Sequence, residues 1–139
     1  MRAVLSPSYT RLTSAFVRAY TTDYRKRMSR TKNNPIDPGD RDLYSGLIRL
    51  HILHHAAEEA IFGLGMLEEL GRHGYRISPG TLYPILHGLE KRGYLRSSEQ
   101  RNGKSRRKVY RATPSGKKAL AAAKNKVREL FQELVMEGN

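Results

Sequence analysis

Between Ser78 and Arg92 the apolar residues Leu82, Ile85, Leu86 and Leu89 recur at i, i+3, i+4 and i+7, the spacing of one helix face. The other face carries Gly80, Thr81, Tyr83, His87 and Lys91, small or hydrogen-bonding groups that can meet a polar surface. Ser78-Pro79 predicts the helix start: the serine oxygen can accept a free first-turn N–H, and proline suits the first helical position. Gly93 predicts the end. The same period runs ahead of this helix. Leu43, Leu47, Leu50 and His54 line a stripe that Ile48 and Ile52 broaden, which predicts a helix from Arg41 to near Glu58-Glu59. A second helix is expected with Ile61, Phe62, Met66, Leu67 and Leu70 inward, closed by Gly71 to Gly74. Tyr75-Arg76-Ile77 reads as the turn into the central helix, its backbone a candidate short strand against a hairpin.

After Gly93 the pattern changes to strands. Tyr94 to Glu99 and Lys108 to Ala112 flank a loop from Gln100 to Arg107 that contains Asn102-Gly103, a strong hairpin-turn signal. Thr113-Pro114 then caps a last helix, in which Leu120, Ala123, Val127, Leu130 and Leu134 step by 3, 4, 3 and 4, extended by Phe131 and Val135. The plain reading of that stripe is packing on the domain's own core. It runs more than two turns past what so small a domain can cover, however, and Leu120, Val127, Leu130, Phe131 and Leu134 therefore read as a homodimer seam. The predicted fold is mainly α with a small β-hairpin wing: a winged helix-turn-helix over residues 41–112, with a C-terminal dimerisation helix over 113–139. Pro84 breaks a local rule, since it lies beyond the first turn and removes a backbone hydrogen bond.

Charge changes the picture from architecture to partner. The 139 residues carry a formal net charge of +13, which suits a polyanion. Residues 76–112 hold ten basic and two acidic side chains, whereas 41–75 hold three basic and five acidic. Positive charge therefore gathers on the central helix and hairpin. That order suits a helix in the DNA major groove, with Ser78, Gly80, Thr81, Tyr83, His87 and Lys91 facing the bases and backbone. Arg101, Lys104, Ser105, Arg106, Arg107 and Lys108 of the wing would reach adjacent phosphates or the minor groove. Tyr94 reads as a core-edge residue.

The run Ser78-Pro79-Gly80-Thr81-Leu82-Tyr83-Pro84, together with Tyr110-Arg111-Ala112-Thr113, resembles the PadR family of transcriptional regulators. The resemblance extends from about Leu43 to Leu134. It implies a repressor that binds an inverted-repeat operator as a homodimer and is released by a small molecule or another signal. The family often opens its second helix with a Gly-Tyr pair, where this chain has Gly63-Leu64.

Other chemistry is thinly represented. With no cysteine there is no disulfide framework and no thiolate metal site, which fits a cytoplasmic protein. His51, His54, His55, Glu58 and Glu59 are the candidate metal or acid–base group, but a zincin needs Glu directly after the first His, and Ile52 stands there. A polar face near a helix end is the plainer reading, with a pH or metal sensor as the alternative. No nucleophile elbow, phosphate-binding loop or dinucleotide fingerprint is present, so neither an enzyme nor a cofactor is expected. No apolar stretch is long enough for a signal peptide or a membrane span. Residues 1–40 read as a basic, disordered extension that adds non-specific DNA affinity, or as an over-called start with translation beginning at Met28; Met1 to Arg18 also faintly resembles a transit peptide. The rival to a sequence-specific regulator is a non-specific structural nucleic-acid-binding or protein-interaction module.

Overall fold

The computed structural model describes residues 38–137, so the expectations for residues 1–37 lie outside the described residues. After a 3₁₀ turn at Pro38–Asp40 come α1 (Arg41–Glu58), α2 (Gly63–Arg72), α3 (Pro79–Lys91), β1 (Leu95–Asn102), β2 (Ser105–Ala112) and α4 (Pro114–Phe131). A π-helical turn, Gln132–Met136, ends the described chain. Helices and one hairpin in this order make a winged helix-turn-helix.

The core fills the space between the first three helices and the base of the hairpin. Ile52 of α1, Met66 and Leu70 of α2, Leu82 and Leu86 of α3 and Tyr110 of β2 are almost fully buried there. The phase of α1 differs from the expected one. Ile48, Ile52, Leu53, His55 and Ala56 face the core, whereas Leu43 and Leu47 of the expected stripe are exposed. The helix is apolar around more than one face, and the body of the domain covers only one of them.

The approach to α2 also departs from expectation. Ile61 and Phe62 precede the helix, and Ile61 is held as a strand: it donates to the Tyr110 carbonyl at 2.9 Å and accepts from the Tyr110 N–H at 2.8 Å. The segment that pairs with the wing is therefore Ile61, not Tyr75-Arg76-Ile77. Main-chain pairing of one residue leaves no alternation in sequence from which to read it.

The hairpin is longer than expected. Its antiparallel register runs from Leu95 opposite Ala112 to Asn102 opposite Ser105, which leaves Gly103 and Lys104 as the turn. Gly103 takes φ +67°, a conformation that disfavours side chains. The expected loop Gln100 to Arg107 is mostly strand because its polar residues still pair main chain to main chain.

Helix α3 ends in a Schellman arrangement. Gly93, at φ +81°, donates to the Glu90 carbonyl, and Tyr94 donates to the Leu89 carbonyl, both at 2.9 Å. At the other end, Ser78 makes no side-chain capping bond; its Oγ lies 3.3 Å from Thr81 Oγ1 instead. Helix α4 is capped as expected, with Thr113 Oγ1 accepting the Gly116 N–H at 3.0 Å. The same hydroxyl donates to the Gly93 carbonyl, and the Thr113 N–H donates to the Tyr94 carbonyl at 3.0 Å. A Cβ on buried Gly116 would strike the Tyr94 carbonyl, so glycine lets α4 start directly against the end of α3.

Helix α4 first packs along α1 and then leaves the body. Leu120 is buried in the domain core and Ala123 is half-buried, while every residue from 124 to 137 is exposed. Leu120, assigned from sequence to the seam, thus belongs to the body of its own domain.

Candidate nucleic-acid interface

Helix α3 separates its two faces cleanly. Leu82, Leu86 and Leu89 are buried, while Ser78, Gly80, Tyr83, Pro84, His87, Gly88 and Lys91 are exposed and Thr81 is half-buried. The expected outer residues therefore share one side of the helix, with the Tyr83 and His87 rings 6.4 Å apart. Tyr83 also leans back on α2. A Cβ built on Gly63 would stand 2.5 Å from the Tyr83 hydroxyl oxygen, so glycine at the first position of α2 makes room for that ring. Glu90, at the far end, accepts the Ser97 N–H at 2.7 Å. Hydrogen bonds from the Ser97 side chain and backbone hold its carboxyl below the usual range, and they tie α3 to the wing.

The wing presents different groups on its two faces. Alternation puts Arg101, Arg106 and Lys108 on one face, all exposed, with Glu99 opposite Lys108. Arg101 stands directly across from Arg106. On the other face, exposed Arg96 stands directly across from exposed Arg111. Like charges directly opposed across a hairpin destabilise it. Arg96 and Arg111 were not singled out from the sequence, since only the strand register brings them together. Arg106 also lies 3.9 Å from Glu99, an exposed ion pair of little energetic weight. Lys104 is exposed at the turn and Ser105 is half-buried beside it.

Arg107 behaves differently from its neighbours. It is on the face opposite Arg106 and Lys108, and its guanidinium carbon lies 4.6 Å from the centroid of the Phe62 ring. Its Nη2 reaches its cross-strand partner Gln100 at 3.5 Å, and burial pushes its pKa down. Phe62, Val109 and Ala60 form a small second core beneath it.

The histidine cluster is structural in layout. His55 of α1 is buried, with Nε2 3.5 Å from Glu69 Oε1 of α2; His73 Nε2 is 3.5 Å from the same oxygen. His51 lies against His73 at a ring separation of 4.6 Å, and His54 pairs with Glu58 at 3.6 Å. Burial lowers the pKa of His55 in spite of Glu69; burial and then the neighbouring histidines lower that of His51. Burial, then Glu58, raises that of Glu59. Among the described residues, no group of three His, Asp or Glu side chains is placed to hold a metal ion.

The family model described as "Transcriptional regulator PadR-like family" matches residues 52–122. The chain belongs to the PadR family. It is 52% identical over 97 residues to Transcriptional regulator Rv3488 of Mycobacterium tuberculosis, a match that spans 68% of this chain and 89% of that protein. Its fold is similar to a crystal structure of a PadR family transcriptional regulator from Eggerthella lenta, with a TM-score of 0.60 and 25% identity over 88% of this chain and 99% of that one. A Streptococcus mutans protein gives a TM-score of 0.61 and 30% identity, over 76% and 94% of the two chains. PadR proteins are DNA-binding transcriptional regulators, not enzymes, which fits an exposed polar helix face beside a basic wing. Among the described residues, no helix is long and apolar enough to cross a membrane.

Proposed function

We propose that this PadR protein is a cytoplasmic, homodimeric repressor that reads an inverted-repeat operator and releases it on a signal. The observation that carries this reading is the pairing of one polar, exposed face of α3 with a wing whose arginines stand opposite one another. Residues 41–112 supply the DNA contacts, and α4 with the turn that follows it supplies the association surface. Ser78, Gly80, Thr81, Tyr83, His87 and Lys91 line the major groove, Tyr83 and His87 touching base edges. Arg101, Lys104, Ser105, Arg106 and Lys108 grip flanking phosphates at the wing tip, and Arg96 with Arg111 holds a phosphate at its root.

The dimer reading rests on exposed apolar side chains. Val127, Leu130 and Phe131 of α4 and Leu134 of the π-helical turn after it are 44–67% exposed. Beside them a cleft of about 390 Å³ is lined by Leu47 and Leu50 of α1 and Leu120 and Val127 of α4. A partner helix laid there removes apolar surface from water on both copies. A second cleft, of about 680 Å³ between α1, α3 and α4, has the volume of a small-molecule site and is where an effector would separate helix from helix.

Selection of binding duplexes from a random-sequence pool tests the reading. The expected product is one short inverted repeat with half-site centres about one DNA turn, roughly 34 Å, apart. Tyr83→Ala and His87→Ala should keep the thermal midpoint and lose about 1–3 kcal/mol of affinity per base-edge contact. Uniform retention of all duplexes would favour the structural, non-specific module instead.

A further inference from the structure

The wing's basic residues differ in their surroundings. Beyond Val109 and Tyr110 the hairpin has no further residue in the core, so its outer half projects from the body. Arg107 is the exception. It folds back over Phe62, which is buried and, as the N-cap of α2, accepts the Met66 N–H at its carbonyl at 3.0 Å. One residue earlier, Ile61 is hydrogen-bonded both ways to Tyr110. The main chain of Ile61 and the ring of Phe62 thus hold β2 at two places, Tyr110 and, three residues nearer the tip, Arg107.

We infer that Arg107 is a positioning residue and not a phosphate ligand: its stacking on Phe62 sets the pose of the wing tip relative to the helix-turn-helix. This rests on the reading of α3 and the wing as the DNA-contacting elements. The physical case is a difference between neighbours. Arg106 and Lys108 are exposed, even with Lys108 Nζ 5.6 Å from the Tyr110 ring, whereas the half-buried guanidinium of Arg107 lies closer over Phe62 and shares its strand pair with the neutral Gln100. A guanidinium suits that place because it stacks flat on a ring while still donating sideways. The functional consequence is spacing. With the tip fixed to the start of α2, the contacts of Arg101, Lys104 and Arg106 fall at a set distance from those of α3, so the wing rewards one alignment on the duplex and not a range of them.

The test uses the full-length protein and a duplex of about 30 base pairs that the wild type itself selects from a random pool. Arg106→Ala should reduce the slope of log K against log salt by about 1, the signature of one lost phosphate contact. Arg107→Gln and Phe62→Leu should leave that slope at the wild-type value while weakening binding about three- to tenfold at every salt concentration. Hydroxyl-radical protection should fade at the flanks and persist over the α3 half-sites. The double variant should bind no worse than the weaker single one, because either change breaks the same contact. A slope loss of about 1 for Arg107→Gln, or additive losses in the double variant, would overturn the inference and make Arg107 a phosphate ligand. If Arg106→Ala also leaves the slope unchanged, the wing does not grip phosphates, and that broader reading falls together with this one. Since Arg107→Gln alters a partly exposed side chain, its slope decides the matter even where Phe62→Leu disturbs folding.

Discussion

Helices α3 and α4 start alike and finish differently. Each follows a hydroxyl residue and opens with a proline, and each carries leucines at helical spacing. In α3 the stripe is consumed by the domain, with Leu82 and Leu86 fully buried and Leu89 5% exposed. In α4 the body covers the stripe only to Ala123, and Leu130 and Leu134 are 50% and 67% exposed. Spacing alone therefore states that a helix has an apolar face and is silent on what covers it. The length of the stripe against the size of the available body decides that question. A stripe that outruns its own domain leaves apolar side chains in water, and that exposure is what the proposed association would cover.

The largest effect that separates the two helices is on folding. Leu86→Ala removes a fully buried side chain and should cost about 2–5 kcal/mol in urea denaturation. An equal cost for Leu134→Ala in a dilute sample would mean that α4 is held by the body after all. A smaller contrast lies in the caps. Thr113→Ala loses an N-cap bond and the bond to the Gly93 carbonyl and should cost about 1–2 kcal/mol. Ser78→Ala, which loses no capping bond, should stay within about 0.5 kcal/mol. Equal losses would place a capping bond at Ser78 in solution.

The smallest effect is a pH dependence confined to the body. His51 and His55 have folded-state pKa values below their ordinary value of 6.5, so the unfolded chain takes up their protons first. Their contribution is fully present above pH 6.5 and is lost as the pH falls through the lower folded values. Urea midpoints should therefore drop from pH 7 toward acid, and His55→Gln should flatten part of that drop. A midpoint that rises below pH 6.5 would mean that Glu69 outweighs burial at His55.

What sequence made legible follows from which groups leave a periodic trace. Helix α3 was readable to within a residue because its start, stripe and glycine stop agree. The hairpin was announced by Asn102-Gly103, but its length was hidden: a strand with arginines on both faces shows no apolar alternation. The phase of α1 was misread because Leu43 and Leu47 look as core-like as Ile48 and Ile52, and only the direction of the body chooses between them. The pairing of Ile61 with Tyr110 passes through main chain and left no side-chain signature. Arg107 is indistinguishable in sequence from Arg106, although period two puts them on opposite faces. Gly63 and Gly116 are legible only as close approaches, to the Tyr83 ring and the Tyr94 carbonyl.

The account turns on whether the outer half of α4 joins two copies, since two α3 helices must be held about 34 Å apart to read both half-sites. Leu130→Asp tests this most directly, with mass by light scattering and affinity for the selected inverted repeat measured on the same sample. A carboxylate in a dry seam should cost several kcal/mol of association. The core of α1, α2 and α3 does not include Leu130. The predicted result is a monomer with unchanged helical circular dichroism, whose affinity for the full repeat falls to that for a single half-site because the two contacts are no longer linked. A Leu130→Asp protein that remains a dimer and binds the repeat normally would contradict the account and move the interface to another face.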